Sequence, residues 1–375
     1  MSDIHSTVSI QDPNSTTTVP ANAVGQSPVT HEQQVAMTVA IAFLGLWCAI
    51  GNIVTILAIT TRRYMRTKTN VFILSLAISD LLSGLIASPL WLYRRTWGFN
   101  PWELGQFACK LYWVIDETTS YCTAMHIASF AIWRFILVRW PHRMGTTKIR
   151  TITIWVCTIW VISIIFGGFV YSLFYESVEK PQDGGVYSHW PMCSIKFVDD
   201  GIAKFKMYYT FSSTMFMLFP MAILFVMSML IVKELFFNKT FKSELRKIKE
   251  KKAVAQLAMI AASFMIGYIP MTSYMMWTIR VSDKDKSLDY WMGVAAYFCL
   301  RFSECMNPVA YNVSSNKMRK ASKEVLALVW TCCGKRAPVS QTPSRVSHST
   351  PNEAGLYVGS TIITNGTKSY GNGPK

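Results

Sequence analysis

Seven long apolar segments alternate with short polar connections along this chain of 375 residues. Each segment has at least about 20 residues, which is the length a helix needs to cross a bilayer core of about 30 Å. We place the segments at 36–60, 70–93, 106–138, 149–173, 203–234, 250–279 and 288–312. The third, fifth and sixth are longer than the bilayer requires, so their ends should project beyond it. The pattern predicts an all-α membrane protein, a bundle of seven transmembrane helices over 35–313.

The segments that flank the bundle are polar. Residues 1–34 show no basic start followed by a short apolar core, so we expect an extracellular disordered tail rather than a signal peptide. Residues 314–333 are basic and amphipathic, which predicts a short eighth helix on the membrane surface, with Cys332 and Cys333 as palmitoylation candidates or as ordinary reduced thiols. Residues 334–375 are rich in Ser, Thr, Pro and Gly, which predicts a disordered tail.

Positive charge concentrates in alternate connections, and this predicts the orientation. The connections near Arg62–Lys68, Arg139–Arg150 and Asn238–Lys252 are basic, whereas those on the other side carry most of the acids. The bias places the N-terminus outside the cell and the C-terminus in the cytoplasm of a multi-pass plasma-membrane protein. Asn14 then lies in an extracellular glycosylation sequon. The net charge of +16 fits an inner rim that faces anionic lipid, and it requires no nucleic acid.

Two of the nine cysteines fall on the predicted oxidising side. Cys109 begins the third segment and Cys193 lies in the connection between the fourth and fifth. A disulfide between them would tie that connection across the mouth of the bundle.

Polar residues and prolines recur inside the apolar segments, where each is a candidate for function. Proline removes a backbone donor, and buried polar groups need partners away from water. The seventh segment ends in Asn307-Pro308-Val309-Ala310-Tyr311, a break that suggests a moving part. The other residues of this kind are Asn52, Asp80, Asp116, Arg134, Pro220 and Pro270.

The set resembles a rhodopsin-like G-protein-coupled receptor from Val35 to Cys333. Cys109, Asp116 and Arg134 stand seven and 18 residues apart, as the disulfide cysteine, the amine-binding aspartate and the G-protein-facing arginine of that family do. The residues around Leu76–Pro89 and Ala108–Asp116 are most similar to histamine and muscarinic receptors.

The resemblance implies roles at the cytoplasmic end. Arg134 would contact a heterotrimeric G protein and would pair at rest with Glu250, while the sixth helix moves about Pro270. Partners implied are the G protein, arrestin and receptor kinases acting on the serine-rich tail, a small-molecule ligand and membrane lipid. The residues assigned to coupling and activation are Arg134, Glu250, Phe264, Pro270, Asn307, Pro308 and Tyr311.

A polar cluster in the middle of the bundle is implied by the same resemblance. In the family it often holds sodium near the residue that Asp80 matches, and water that satisfies the buried groups is the alternative. We expect no other cofactor. The cluster comprises Asn52, Asp80, Thr123, Ser303 and Asn307.

The chain departs from the family pattern beside Arg134. The usual acid before the arginine is Trp133, which leaves Glu250 as the candidate lock and suggests raised basal signalling. Tyr268 stands where the sixth helix usually has tryptophan. The connection between the fifth and sixth helices is short, so the preference for a G-protein subtype cannot be inferred.

The ligand site departs furthest. Asp116 favours a biogenic amine, yet Arg301 could occupy the amine site with the receptor's own cation, or could bind an acidic or zwitterionic ligand. Glu304 lies one turn after Arg301 and competes as its partner. The predicted ligand-binding residues are Asp116, Glu117, Ser212, Ser213, Phe216, Tyr268, Met271, Tyr297 and Arg301.

Other classes of protein fit less well. No metal-ligand spacing, nucleophile elbow or phosphate loop indicates an enzyme, and no internal repeat indicates a transporter. The remaining rival is a constitutively active receptor that has no external agonist.

Overall fold

The structure is a computed structural model that describes residues 30–96, 102–140, 146–178, 192–195, 200–237, 244–281 and 285–332. Within these residues it contains eight helices that follow the predicted segments closely, which confirms the predicted helical bundle. The helices are α1 (His31–Thr61), α2 (Lys68–Leu82 continuing through Ser88–Trp91), α3 (Gly105–Arg139), α4 (Ile149–Ser163 continuing through Val170–Phe174), α5 (Gly201–Ser213 continuing through Phe219–Phe237), α6 (Glu244–Arg280), α7 (Lys286–Ser314) and α8 (Asn316–Cys332).

Helix α1 begins earlier than predicted, inside the segment that was expected to be disordered. Thr30 caps it, because its hydroxyl accepts from the Gln33 backbone N–H while the Gln33 side chain accepts from the Thr30 N–H. This reciprocal pair satisfies donors that a helix start leaves unpaired. Asn14, the predicted glycosylation site, lies outside the described residues.

Six of the described helices are long and apolar enough to span a membrane by length and composition. They are α1 to α6; α7 is not among them. Helix α7 carries Arg301, Glu304 and Asn307 among its apolar residues, and these side chains are buried at 2% exposure or less. The seventh helix therefore places its polar groups in the bundle interior, where they can pair with one another.

The interior of the bundle holds buried polar side chains among its apolar core, and its exterior is apolar. Large apolar side chains such as Phe43 and Trp47 of α1 are more than half exposed, while Asn52 and Asp80 are fully buried. This distribution suits a protein whose outer surface faces hydrocarbon and whose buried polar groups must be satisfied internally.

Wide, π-helical turns interrupt three of the helices. They span Ser83–Ala87 in α2, Ile164–Phe169 in α4 and Thr214–Leu218 in α5. A further wide turn, Leu92–Thr96, ends α2. Such turns re-aim the residues beyond them and are frequent at functional sites.

A two-stranded antiparallel sheet covers one end of the bundle. Strand β1 (Tyr175–Val178) follows α4 directly and pairs with β2 (Met192–Ile195), Ser177 lying opposite Cys193. Cys193 forms a disulfide with Cys109 at the start of α3, as predicted from the sequence. We call this the disulfide end of the bundle, and we call the opposite end the α8 end.

Helices α6 and α7 approach closely at Gly267. A Cβ atom at this position would lie 2.5 Å from Cβ of Ser303 and 3.0 Å from the Cys299 carbonyl oxygen. Only glycine permits this separation, which brings Ser263 of α6 within 3.0 Å of the Ser303 carbonyl oxygen for a hydrogen bond.

Candidate ligand-binding and signalling sites

Arg301 is the centre of a buried cluster of charges. Its Nη1 donates to Oε2 of Glu304 at 2.7 Å and to Oγ of Ser83, and its Nη2 donates to Oδ1 of Asp116 at 3.4 Å. None of the guanidinium is exposed to solvent. A fully buried cation requires such partners, and two carboxylates supply them here.

Two aromatic rings separate Arg301 from the disulfide end. The guanidinium carbon lies 4.6 Å from the ring centroid of Tyr297, and that ring stacks on Trp91 at 3.8 Å. Tyr297 and Arg301 line neither of the two cavities described below. The structure thus shows the predicted pair of Arg301 with Asp116, while direct contact of Arg301 or Tyr297 with a ligand stays a prediction.

A cavity of about 300 Å³ opens at the disulfide end. We call it the wide cavity. Aromatic side chains form much of its wall, with charged groups from α2, α5 and α7 among them. Residues that line it include Arg94, Trp113, Tyr175, Lys206, Tyr274 and Asp289. Its size lies at the lower end of the range for ligand pockets.

A smaller cavity of about 30 Å³ lies further into the bundle. We call it the narrow cavity, and it shares Met271 and Met275 with the wide cavity. Asp116 and Glu117 both line it. Glu117 is 9% exposed and makes no hydrogen bond or ion pair within the described part of the chain. Glu117 is therefore a carboxylate that faces a cavity without a cationic partner, whereas Asp116 already has one.

The other predicted ligand contacts divide between the cavities and the packed interior. Ser213, Tyr268 and Met271 line the narrow cavity. Ser212 instead accepts a hydrogen bond from the Tyr121 hydroxyl at 2.8 Å and is fully buried, while the Phe216 ring packs on Tyr121. Neither Ser212 nor Phe216 lines these two cavities, because both face α3 and α4; their contact with a ligand stays a prediction.

The predicted polar cluster is only partly connected by direct bonds. Asn307 Nδ2 donates to Asp80 Oδ2 at 2.9 Å, while Asn52 donates to the Cys48 carbonyl oxygen. Thr123 bonds to Ser79 and Ser303 to Ser263, so these two satisfy neighbours rather than Asp80.

Two oxygen atoms in this cluster have no partner among the described residues. They are Oδ1 of Asn52 and Oδ1 of Asp80, both buried. Amide and carboxylate oxygens are ligands of the type that a hard cation takes, and they fit water as well.

Comparison with known proteins identifies the architecture. The family described as 7 transmembrane receptor (rhodopsin family) matches residues 51–311. The chain belongs to the rhodopsin family of seven-transmembrane receptors. It is a multi-pass membrane receptor and not an enzyme, and membership implies coupling to a G protein.

Individual relatives do not support the expected likeness to amine receptors. The receptor is 26% identical to growth hormone secretagogue receptor type 1 of Sus scrofa, over 78% of its own length and 80% of the relative's. It is 23% identical to neuropeptide FF receptor 2 of Mus musculus (82% and 76%) and 24% identical to neurotensin receptor type 1 of Mus musculus (92% and 87%). None of these names refers to a biogenic amine.

At the α8 end, the receptor's Arg134 lies beside an aromatic ring. Its guanidinium carbon is 5.0 Å from the ring centroid of Phe130, and the residue lines a third cavity of about 180 Å³ together with Gln256 and Met318. The predicted partner, Glu250, lies in α6, but its side chain is outside the described part, so the lock stays a prediction.

The Trp133 side chain is packed against its neighbours, and it carries no charge that could pair with Arg134. Its indole is 2% exposed, donates to Thr69 at 3.4 Å and lies against Phe72. It therefore joins α3 to α2 where an acid would have flanked Arg134.

The residues assigned to helix movement lie on α6 and α7. The Phe264 and Tyr268 rings are 4.4 Å apart, and Pro270 follows within α6. Pro308 packs on α1 at Gly51, where a Cβ would lie 3.0 Å from its Cγ, and the Tyr311 side chain is fully buried.

Helix α8 is fastened to the connection between α1 and α2. Glu324 forms an ion pair with Arg62 at 3.1 Å, and exposed apolar side chains, among them Leu328 and Trp330, project from α8. This fits the predicted membrane-surface helix. The Cys332 side chain, Cys333 and the serine-rich tail lie outside the described residues.

Sequence reasoning missed the charged lining of the wide cavity. Arg94, Lys206 and Asp289 lie near the ends of helices, where a charge ordinarily marks the membrane boundary. The sequence offered one signal for this lining: Arg94 stands at the end of an apolar segment, among aromatic residues.

Proposed function

We propose that the protein is a plasma-membrane receptor for an extracellular peptide that carries a cationic group, and that it activates a heterotrimeric G protein. The peptide would enter through the wide cavity, and its cation would reach Glu117 in the narrow cavity.

The proposal rests on a difference between two adjacent acids, of which one has a cationic partner and the other does not. Asp116 is engaged by Arg301, whereas Glu117 faces the narrow cavity with no partner among the described residues. A carboxylate in so enclosed a site favours a cation from the ligand. The amine prediction was assigned to Asp116, whose negative charge is already balanced by Arg301, so it attracts a ligand cation less strongly than Glu117 does.

The shape and the relatives both favour a peptide over a small amine. Met271 and Met275 line both the wide and the narrow cavity, so a ligand long enough to pass these two side chains would contact both. One relative is named for a neuropeptide, and the sequence covers 76% of it.

The proposed orientation places the disulfide end outside the cell. Basic connections at the α8 end predict a cytoplasmic location for that end. A disulfide at the opposite end fits the oxidising compartment. Arg134 and the third cavity would then face the G protein, with arrestin and receptor kinases acting on the same side.

G-protein activation in cells that express the full-length receptor tests this function. The panel would contain biogenic amines, amino acids and pools of short synthetic peptides with and without Lys or Arg. A response to cationic peptides that falls at least about tenfold in Glu117→Gln and stays within threefold in Asp116→Asn is expected.

Exposed Glu103 lines neither cavity, so Glu103→Gln is the matched control. An amine response that is lost in Asp116→Asn would refute the assignment to a peptide and would support a biogenic amine as the ligand.

A second candidate is constitutive signalling without an external agonist. It rests on Trp133, which packs on α2. In the receptors that the sequence resembles, an acid usually stands at this position beside the arginine. A high basal signal together with no response to any pool would favour it.

A further inference from the structure

Arg94 is held in a fixed position on the wall of the wide cavity. Its Nε donates to the carbonyl oxygen of Cys193 at 3.4 Å, and its guanidinium carbon lies 4.8 Å from the ring centroid of Trp113. Trp113 in turn stacks on Tyr175 at 3.9 Å. The disulfide anchors Cys193 to α3, so the guanidinium is oriented by backbone and rings that cannot easily move.

No carboxylate of the described residues pairs with Arg94. Its Nε bond to Cys193 and its contacts with the Tyr112 and Trp113 rings are the direct contacts it makes there, and Asp116, whose charge it feels at longer range, pairs with Arg301. The terminal guanidinium nitrogens keep their donor capacity, and a planar guanidinium matches the geometry of a carboxylate.

A second donor beside Arg94 also has no protein acceptor. The indole Nε1 of Trp113 is buried and makes no hydrogen bond within the described part of the chain. That nitrogen has almost no accessible surface, so the indole must turn toward the cavity before a ligand can accept from it. An unpaired buried donor is costly, and a ligand acceptor reached in this way would remove that cost. Trp113 and Arg94 therefore point to the same kind of ligand group.

The charge balance of the wide cavity favours an anion. Lys206 of α5 supplies a second cation among the lining residues. Asp289 supplies the one acid of the lining within the described residues, and the Tyr274 hydroxyl donates to it at 3.1 Å.

We infer that Arg94 and Trp113, with Lys206 on α5, form a subsite for a carboxylate of the ligand. This inference rests on the proposed function, and it gives the peptide two ends: a cation at Glu117 and a carboxylate at Arg94. It also moves the predicted recognition of an acidic ligand away from Arg301, which is sealed and already paired. The carboxylate belongs either to the C-terminus or to an acidic side chain.

Paired peptide pools distinguish these sources. Each cationic hexapeptide pool would be made in two forms, one with a free C-terminal carboxyl and one with a C-terminal amide. Each form would be made once with Asp or Glu at internal positions and once with Asn or Gln at the same positions. The full-length receptor would be assayed for G-protein activation, and the purified receptor for thermal stabilisation by the same pools as a measure of binding.

The carboxylate form should be at least about tenfold more potent than its neutral counterpart. Arg94→Gln should weaken the carboxylate form by about that factor and leave the neutral form within threefold, which removes the difference between them. Trp113→Phe keeps an aromatic ring, although a smaller one, and removes the indole N–H, so it should reduce the difference in part. Lys204→Gln changes an exposed lysine of α5 that does not line the cavity, and it should alter neither form.

Four outcomes are informative. A preference for the free C-terminus assigns the carboxylate to the peptide end, and a preference for internal Asp or Glu assigns it to a side chain. Equal loss of acidic and neutral forms in Arg94→Gln, at matched surface expression, would overturn the subsite while leaving the peptide receptor intact. If no pool binds the unmodified receptor, the proposed function and the subsite both fail.

Discussion

Replacing Arg301 by methionine should strongly destabilise the receptor. The substitution keeps a long side chain but leaves Glu304 and Asp116 as unpaired carboxylates in a site that no solvent reaches. Breaking a buried pair in this way costs about 3–5 kcal/mol. At about 2–4 °C per kcal/mol, the midpoint of thermal unfolding should fall by about 10 °C.

The two acids should differ in their effect. Glu304 lies 2.7 Å from the guanidinium and Asp116 lies 3.4 Å from it. Asp116→Asn leaves the shorter pair intact and removes one of two negative charges that share a single cation, so its cost should be below about 1 kcal/mol. Glu304→Gln should cost more. Adding Glu304→Gln to Arg301→Met should restore part of the loss, because it removes a carboxylate that has lost its partner.

Unfolding of the purified receptor can be followed with a thiol-reactive dye. Cys48, Cys122 and Cys305 are buried in the described structure, so they react only as the bundle opens. Phe302→Leu, at a partly exposed position of the same helix, is the control and should shift the midpoint by little. A midpoint for Arg301→Met within 2 °C of the unmodified receptor, or no coupling to Glu304→Gln, would refute the account of a buried, paired arginine.

Three other predictions follow from the packing. Gly267→Ala should lower the free energy of unfolding by about 1–3 kcal/mol, because α6 and α7 must separate to admit the added Cβ. Gly45→Ala is the control and should be tolerated in the same unfolding assay, since its added Cβ would lie 3.4 Å from its nearest neighbour. Cys193→Ala should lower the free energy of unfolding by about 2–5 kcal/mol, and it should abolish peptide responses because β2 then no longer holds the wall of the wide cavity in place. Cys157→Ala, at an exposed thiol, is the control and should do neither. An unchanged peptide response in Cys193→Ala would contradict this role. Basal G-protein signalling should exceed that of mock-transfected cells at matched expression and should fall several-fold in Trp133→Asp but not in Trp133→Phe; a basal signal equal to mock would end this hypothesis.

Much of the architecture could be predicted from the sequence because few alternatives satisfy a bilayer. Apolar length predicted helices close to the observed bounds, and cysteine placement predicted the disulfide. The pairing of Arg301 with Asp116 was one of two predicted arrangements, and the structure shows it because a buried arginine must find acids.

The lining of the ligand site was harder to predict because it depends on the direction of individual side chains. Ser212 was expected to face the ligand, yet it bonds to Tyr121 and Tyr171. The wide turn Thr214–Leu218 follows Ser212 directly, and the regular helical period does not hold through such a turn. Arg94 was missed because a charge at the end of a segment ordinarily marks the membrane boundary; it lies within the wide turn that ends α2. The relatives do not support the amine interpretation, which gave more weight to one resembling aspartate than to the arginine that pairs with it.

The wide turns also determine where the receptor can change length during evolution. A wide turn holds one residue more than the α-helical turn it replaces, so a single deletion within Ser83–Ala87 can be absorbed by tightening that turn. The same deletion in the uninterrupted α3 would rotate everything beyond it by about 100° and would turn its buried polar face toward lipid. We expect insertions and deletions among descendants of this sequence to accumulate at the wide turns of α2, α4 and α5, and α3 to keep a constant length.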